Sequence, residues 1–319
     1  MVNNISYQVA FVGAGYMTVE HIKAFNDIPD VVLAGIYSRT KLRAEMLAVE
    51  FKIDSVCGSI AELYAKTKAE LVVISVPELS VREVCLEAFK YPWMCLIEKP
   101  AGYDLADAVY ILNAAKKLKR RAFVALNRRH YSSTQFVLKN INKQKSPRLI
   151  HVYDQEDQIS ARRAGQPELV VENWMYANSI HSIDLFSLLA RGKIVSITPV
   201  IQWTPDAPSF VMAKIIYDSG DIGIYEAVWN SPGPWAVTIT THEKRWEMRP
   251  LEQVMVQSFG TRNLEPVVLN EWDTRFKPGL RFQAGEAVKA LRGQKHNLPS
   301  LADAVRSMKL IHAIYGNSL

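Results

Sequence analysis

Five short runs of Val, Ile, Leu, Ala and Phe, at residues 8–12, 31–37, 71–76, 94–97 and 122–126, punctuate the first part of the chain. Unbroken apolar runs of this length suit strands buried on both faces, as in a parallel sheet. Between them, residues 19–26, 41–51, 60–65, 81–89 and 105–118 carry apolar side chains at i, i+3 and i+4, the spacing of amphipathic helices. Strict alternation of strand and helix predicts right-handed crossovers and a doubly wound parallel α/β sheet. The pattern changes after about residue 145. Residues 149–154, 195–203, 211–217, 223–229 and 235–241 look like strands, joined by turns such as Asp218-Ser219-Gly220-Asp221. Apolar and polar positions alternate along Ile222–Trp229, the mark of a half-exposed antiparallel strand. A helix beginning near Ser179 and two late ones, at 282–291 and 301–315, would cover one face. The chain therefore reads as an α/β domain over residues 1–125 followed by an α+β domain over 126–319, built on a large, mostly antiparallel open sheet.

Candidate chemistry starts where the first strand ends, at Val12-Gly13-Ala14-Gly15-Tyr16-Met17-Thr18. A strand that runs through Gly13 and Gly15 into a helix can turn tightly at the first glycine. At the second it lets backbone approach a pyrophosphate lying on the helix N-terminus. Gly13, Gly15, Tyr16 and Met17 are thus expected to contact a dinucleotide, although Thr18 stands where the full fingerprint has a third glycine. The second strand ends in Ser38-Arg39-Thr40-Lys41 with no carboxylate to accept from the ribose hydroxyls. Ser38 and Arg39 could instead hold a 2′-phosphate, so NADP(H) is expected over NAD(H); the bland alternative is a solvated basic turn.

Composition removes several other classes. The net charge of +6 is mild for 319 residues, and the densest basic run, residues 116–121, suits the negative end of a helix dipole. It has no interleaved aromatics, so a nucleic-acid partner is not expected. Cys57, Cys85 and Cys95 form no CxxC pair and lie near no His cluster, which predicts buried reduced thiols and no metal site. No apolar run approaches the length of a membrane span, and no basic residue precedes the first apolar stretch; a cytoplasmic protein is expected.

Leu96-Ile97-Glu98-Lys99-Pro100 at the end of a strand, and Asn178-Ser179-Ile180-His181-Ser182-Ile183-Asp184 at a helix start, carry a specific resemblance. The chain resembles the glucose–fructose oxidoreductase, inositol dehydrogenase and MocA (Gfo/Idh/MocA) family of NAD(P)-dependent oxidoreductases. Asn127-Arg128-Arg129, residues 276–285 and residues 298–304 extend the likeness over nearly the whole chain. It implies a Rossmann domain paired with an antiparallel-sheet domain, and hydride transfer to or from a hydroxyl carbon of a sugar, cyclitol or nucleotide-linked sugar. By resemblance, Lys99 sits beside nicotinamide and the reacting hydroxyl, Glu98, Pro77 and Asn127 border the cofactor, and Pro100 follows a cis bond. His181 and Asp184 share a helix face, with His181 as proton-transfer base near a positive helix end capped by Asn178 or Ser179. Lys99 and His181 are expected to act as one catalytic unit.

Two departures stand out. Many dehydrogenases of the family carry Asp four residues before the His, where this chain has Ala177; Tyr176 or Asn178 are candidates to replace it. Val76-Pro77-Glu78 also differs from the family's usual Pro-Asn. For substrate, Arg162 and Arg163 could meet an anionic group or be solvated, and Trp174 and Tyr176 could stack on a ring or pack in the core. Related enzymes pair through such sheets, and with Tyr225, Trp229 and Trp235 on the strands a homodimer or homotetramer is expected. The alternative function is that of a family member that binds dinucleotide and regulates a partner without chemistry.

Overall fold

The computed structural model describes residues 6–316, which divide into two compact units, 6–127 with 272–305, and 128–271 with 306–316. In the first, strands β1 (Tyr7–Val12), β2 (Val31–Tyr37), β3 (Val56–Cys57), β4 (Leu71–Ile74), β5 (Met94–Ile97) and β6 (Ala122–Val124) form one parallel sheet in the order β3-β2-β1-β4-β5-β6. Helices α1 (Tyr16–Asn26), α2 (Lys41–Phe51), α3 (Ile60–Thr67), α4 (Val81–Ala88) and α5 (Leu105–Lys117) provide the connections. Every residue of β4 and β5 is buried, as unbroken apolar runs require. The order reverses direction between β1 and β4, and in such sheets ligands bind at that switch point, outside the carboxyl ends of the strands.

One boundary differs from the contiguous halves expected from sequence. Helices α10 (Trp272–Arg275) and α11 (Leu280–Leu291) come late in the chain but join the first unit. The apolar side of α11, with Leu280, Ala284, Ala287 and Val288, shares one core with Ile22 and Phe25 of α1. Arg281 adds an ion pair to Asp27 at 2.6 Å.

The second unit holds an eight-stranded sheet. In chain order its strands are β7 (Leu149–Glu156), β8 (Ile194–Ile201), β9 (Phe210–Tyr217), β10 (Ile222–Trp229), β11 (Ala236–Thr240), β12 (Lys244–Met248), β13 (Met255–Ser258) and β14 (Glu265–Pro266). Spatially they run β14-β13-β12-β11-β7-β10-β9-β8, antiparallel throughout except for β7 beside β10. Helices α6 (Ser132–Ile141), α7 (Gln158–Arg163), α8 (Glu168–Glu172) and α9 (Ile180–Leu189) belong here, and α12 (Leu301–Ile314) contributes its last turns. Gly223 of β10 lets α9 lie close, because a Cβ there would stand 2.8 Å from the Phe186 ring.

The two faces of this sheet differ from the sequence expectation for its aromatics. Tyr225 and Trp229 are fully buried on the covered face, so they cannot contribute to an exposed patch; Trp235 is 41% exposed. The open face carries half-buried Tyr153, Met212, Ile216, Ile224 and Val228 instead. All three cysteines are buried, and burial pushes the Cys95 thiol up to about 12, which leaves it inert as a nucleophile. Burial together with the nearby Arg129 charge holds His130 down at about 3, so its ring is neutral throughout the physiological range. Among the described residues, no helix is long and apolar enough to cross a membrane.

Candidate active site

The carboxyl edge of the parallel sheet gathers the first group of candidates. Gly13 ends β1 with φ +115°, and its N–H donates to the Tyr37 carbonyl at 2.8 Å. A Cβ at Gly13 would stand 1.9 Å from the Ser75 carbonyl oxygen at the end of β4, so only glycine fits between these two strand ends. At Gly15, by contrast, a Cβ would meet nothing within 4 Å, which leaves open space beside the N-terminus of α1. No side chain caps that helix end, so its first N–H groups are available to an anion. The Thr18 hydroxyl is buried within the same turn with no protein hydrogen-bond partner. Open backbone, an uncapped helix end and an unsatisfied hydroxyl fit a dinucleotide pyrophosphate at Gly13–Thr18. Tyr16 is 67% exposed with Lys277 over its ring, whereas the Met17 side chain packs against the core and leaves only its backbone for the ligand.

Ser38 and Arg39 follow β2 on the same edge. The Ser38 hydroxyl accepts from the Thr40 N–H at 3.2 Å, and the exposed Arg39 guanidinium donates to the Ser80 hydroxyl at 3.2 Å. Pro77 is exposed and starts the short 3₁₀ turn Glu78–Ser80, which brings Ser80 to Arg39.

Glu98, Lys99 and Pro100 leave β5, and the Lys99–Pro100 peptide is cis. Glu98 is buried and committed to the protein: one oxygen is 2.7 Å from His21 Nε2, and the other accepts from the Lys99 N–H at 3.1 Å. Its observed contacts are structural, tying the Lys99 turn to α1. Asn127 is likewise occupied, since its amide donates to the Pro278 carbonyl at 2.9 Å. His21 was not anticipated from sequence, although the signal existed. It occupies the buried face of α1 with Thr18, Ile22 and Phe25, where a polar residue needs a partner.

The second group lies on α9 and the turn before it. Met175–Ser179 forms a π-helical turn that runs directly into α9, and Ser179 has helical angles with no capping bond. The expected N-cap is therefore absent, and half-buried His181 sits more than a turn inside one helical run, where the dipole argument for its neutrality weakens. Asp184 is buried and both its oxygens are engaged. Arg129 donates to them at 2.6 and 2.7 Å, and the Ser307 hydroxyl donates at 2.6 Å. This bidentate pair ties α9 to the Arg129 turn.

Three expected substrate contacts are also taken up internally. The Asn178 amide donates to Glu156 at 2.9 Å, and the buried Tyr176 hydroxyl lies 3.1 Å from His312 Nδ1. Arg162 lies on α7 and is held on the surface by Glu168 at 2.6 Å. Arg128 is buried, donates to the Ser182 hydroxyl and lies 4.7 Å from the Trp235 ring centre.

Known proteins resemble this chain in sequence and in fold. Residues 7–126 match the model of a family described as an oxidoreductase family with an NAD-binding Rossmann fold, Gfo/Idh/MocA. The chain is 23% identical over 309 residues to a 4-carboxy-2-hydroxymuconate-6-semialdehyde dehydrogenase of Sphingobium, covering 92% of this chain and 93% of that protein. It is 26% identical over 204 residues to an inositol 2-dehydrogenase of Streptomyces avermitilis, covering 62% and 57% of the two. Among solved structures, a levoglucosan dehydrogenase in complex with NADH and levoglucosan shares the fold, with a TM-score of 0.82 at 16% identity over 98% of this chain and 96% of that one.

Proposed function

We propose that this chain, whose residues 7–126 match the Gfo/Idh/MocA oxidoreductase family model, is an NAD(P)-dependent dehydrogenase acting on a hydroxyl-bearing carbon of a sugar, cyclitol or nucleotide-linked sugar. The observation that carries this reading is the carboxyl edge of the parallel sheet. There an open glycine turn and the Glu98-Lys99-Pro100 strand end leave the same switch-point sheet. The nicotinamide ring, when bound, supplies the hydride acceptor or donor.

The chain's own residues supply the rest. The Gly13–Thr18 turn binds the pyrophosphate through backbone N–H groups and the Thr18 hydroxyl. Lys99, oriented by the Glu98–His21 anchor, orients the substrate oxygen and stabilises its alkoxide character. His181 takes the hydroxyl proton during oxidation and returns it during reduction. Asp184 acts on the substrate only indirectly, by holding α9 through Arg129. A 26%-identical inositol 2-dehydrogenase supports a polyhydroxylated substrate. The experiment is turnover with a panel of myo-inositol, D-glucose and levoglucosan in the presence of NADP⁺ or NAD⁺.

NADP(H) is proposed as the preferred cofactor, on the strength of Arg39 and Ser38 after β2 and the lack of an acid there. Arg39→Ala is expected to weaken NADP(H) binding about tenfold, the size of one lost charge-assisted contact, with NAD(H) little changed. Fluorescence titration of both cofactors checks this, and tighter NAD(H) binding by the wild type would contradict it.

The apolar side chains on the open face of the second sheet support pairing of two copies through that face. Sedimentation at micromolar concentration should report a dimer or a tetramer, and a monomer would count against the proposal.

A further inference from the structure

The largest set of buried polar groups left out of this mechanism lies in the second unit, against the turn that leads to His181. Asp154 and Glu156 stand two residues apart on the covered side of β7, at 2% and 0% exposure. One Glu156 oxygen accepts from the Ser179 hydroxyl at 2.8 Å and the other from the Asn178 amide at 2.9 Å. Asp154 accepts from the Ser182 hydroxyl at 3.0 Å and from the Tyr225 hydroxyl at 2.9 Å. The Tyr315 hydroxyl bridges the two halves, 3.0 Å from the Tyr225 oxygen and 3.3 Å from that of Ser179. Arg128 reaches the network through Ser182.

A sheet face against a helix is ordinarily apolar, and replacing buried ionisable groups by packed hydrophobes is often neutral or stabilising. Two carboxyls here, with one guanidinium near them, are therefore poorly explained by stability. Both Glu156 bonds fall on the π-helical turn Met175–Ser179, a rare geometry that recurs at functional sites, while Asp154 holds the first turn of α9 through Ser182. The π turn holds one residue more than an α turn. Reversion to α would rotate the residues on one side of it by about 100° relative to those on the other.

We propose that Glu156 is a positioning residue for His181: by holding Asn178 and Ser179 it fixes the π-helical turn and hence the direction in which the imidazole points. This rests on the reading of His181 as the proton-transfer group. Burial, with the Asp154 carboxylate beside it, pushes the Glu156 carboxyl well above its usual range. Glutamine has the same shape, and its amide can still accept from the Ser179 hydroxyl and, once the Asn178 amide rotates, donate to the Asn178 oxygen.

The test compares Glu156→Leu and Glu156→Gln in the full-length protein, using the polyol of the panel that the wild type turns over fastest. Glu156→Leu should lower kcat about 100-fold, as misplacement of a reacting group by about 1 Å does. KM and dinucleotide affinity should change less than about threefold, and Glu156→Gln should restore most of the turnover. Independently of activity, the ¹⁵N resonances and titration of the His181 ring should shift in Glu156→Leu and return in Glu156→Gln. Wild-type kcat with unchanged His181 resonances in a folded Glu156→Leu protein would overturn the proposal. If Glu156→Leu does not fold, Asn178→Ala and Ser179→Ala each remove one tether and are read in the same way. Should His181→Ala retain full turnover, the proton-transfer reading fails by itself. The ring resonances then decide positioning alone, a shift supporting it and no shift overturning it.

Discussion

Alanine at Lys99 or at His181 is expected to remove most turnover while leaving dinucleotide affinity within about threefold of wild type. Loss of a group that moves or stabilises a proton typically costs about 10²–10⁴ in rate. Lys99 follows β5 directly, and its turn is anchored by Glu98 to His21, so truncating the side chain leaves that anchor in place. His181 lies on α9, whose position is set by the Asp184–Arg129 pair and by the Glu156 contacts, none of which uses the imidazole. Both substitutions should therefore yield folded protein. If the two groups serve one hydroxyl, their losses are non-additive, and the double variant should be little slower than either single one. Losses that multiply would mean the residues act in separate steps. Steady-state rates for the four proteins, with cofactor titrations by fluorescence, decide between these outcomes.

Gly13→Ala is expected to abolish dinucleotide binding in the accessible concentration range, a loss of about 100-fold or more in affinity. Two costs coincide at this position. An L-residue at φ +115° is strained whatever the space around it, and the added methyl would lie 1.9 Å from the backbone oxygen of Ser75. That oxygen belongs to the strand end beyond β4 and cannot swing away as a side chain would, so the ends of β1 and β4 must separate. A displacement of the turn loosens the N–H groups that meet the pyrophosphate, and about 3 kcal/mol of lost binding is already 100-fold. Gly15→Ala is the control: its added methyl meets no protein atom, so the protein should fold as stably as wild type. Any loss of affinity there reports on the ligand alone. Thermal melts with fluorescence titration separate the two, and a Gly13→Ala protein with wild-type affinity would remove the glycine turn from the cofactor site.

Much of this was legible in the sequence because the parallel sheet is built from apolar runs with sharp ends. The runs at residues 31–37 and 94–97 are the strands Val31–Tyr37 and Met94–Ile97, and the helix at 41–51 has the bounds Lys41–Phe51. The two-residue strand Val56–Cys57 is too short to leave a periodic signal. Apolar spacing marked 282–291 as helical, but the expectation that this helix covers the second sheet was wrong, because α11 packs into the core of the first unit. Candidate residues from short motifs fared unevenly for a related reason. A motif names residue types at a spacing, whereas the fate of a polar side chain is decided by partners from distant segments. Asp184 met Arg129 and Ser307, Asn178 met Glu156, Glu98 met His21, and Arg162 met Glu168. The π turn was invisible because one extra residue in a helix changes no composition and hardly disturbs an apolar pattern. Glu156, which bonds to that turn, lay beyond the strand read at 149–154, so nothing marked it as facing a helix.

Hydride transfer under the control of Lys99 and His181 is the reaction proposed for this chain. The most direct measurement incubates the wild-type protein with NADP⁺ or NAD⁺ and polyols of the panel deuterated at every carbon, followed by mass spectrometry of the dinucleotide. One deuterium is expected in the reduced dinucleotide with at least one polyol, and none in Lys99→Ala and His181→Ala proteins that still bind the cofactor. Tight dinucleotide binding by the wild type with no deuterium transferred from any polyol would contradict it, and would favour a protein that senses the dinucleotide without chemistry.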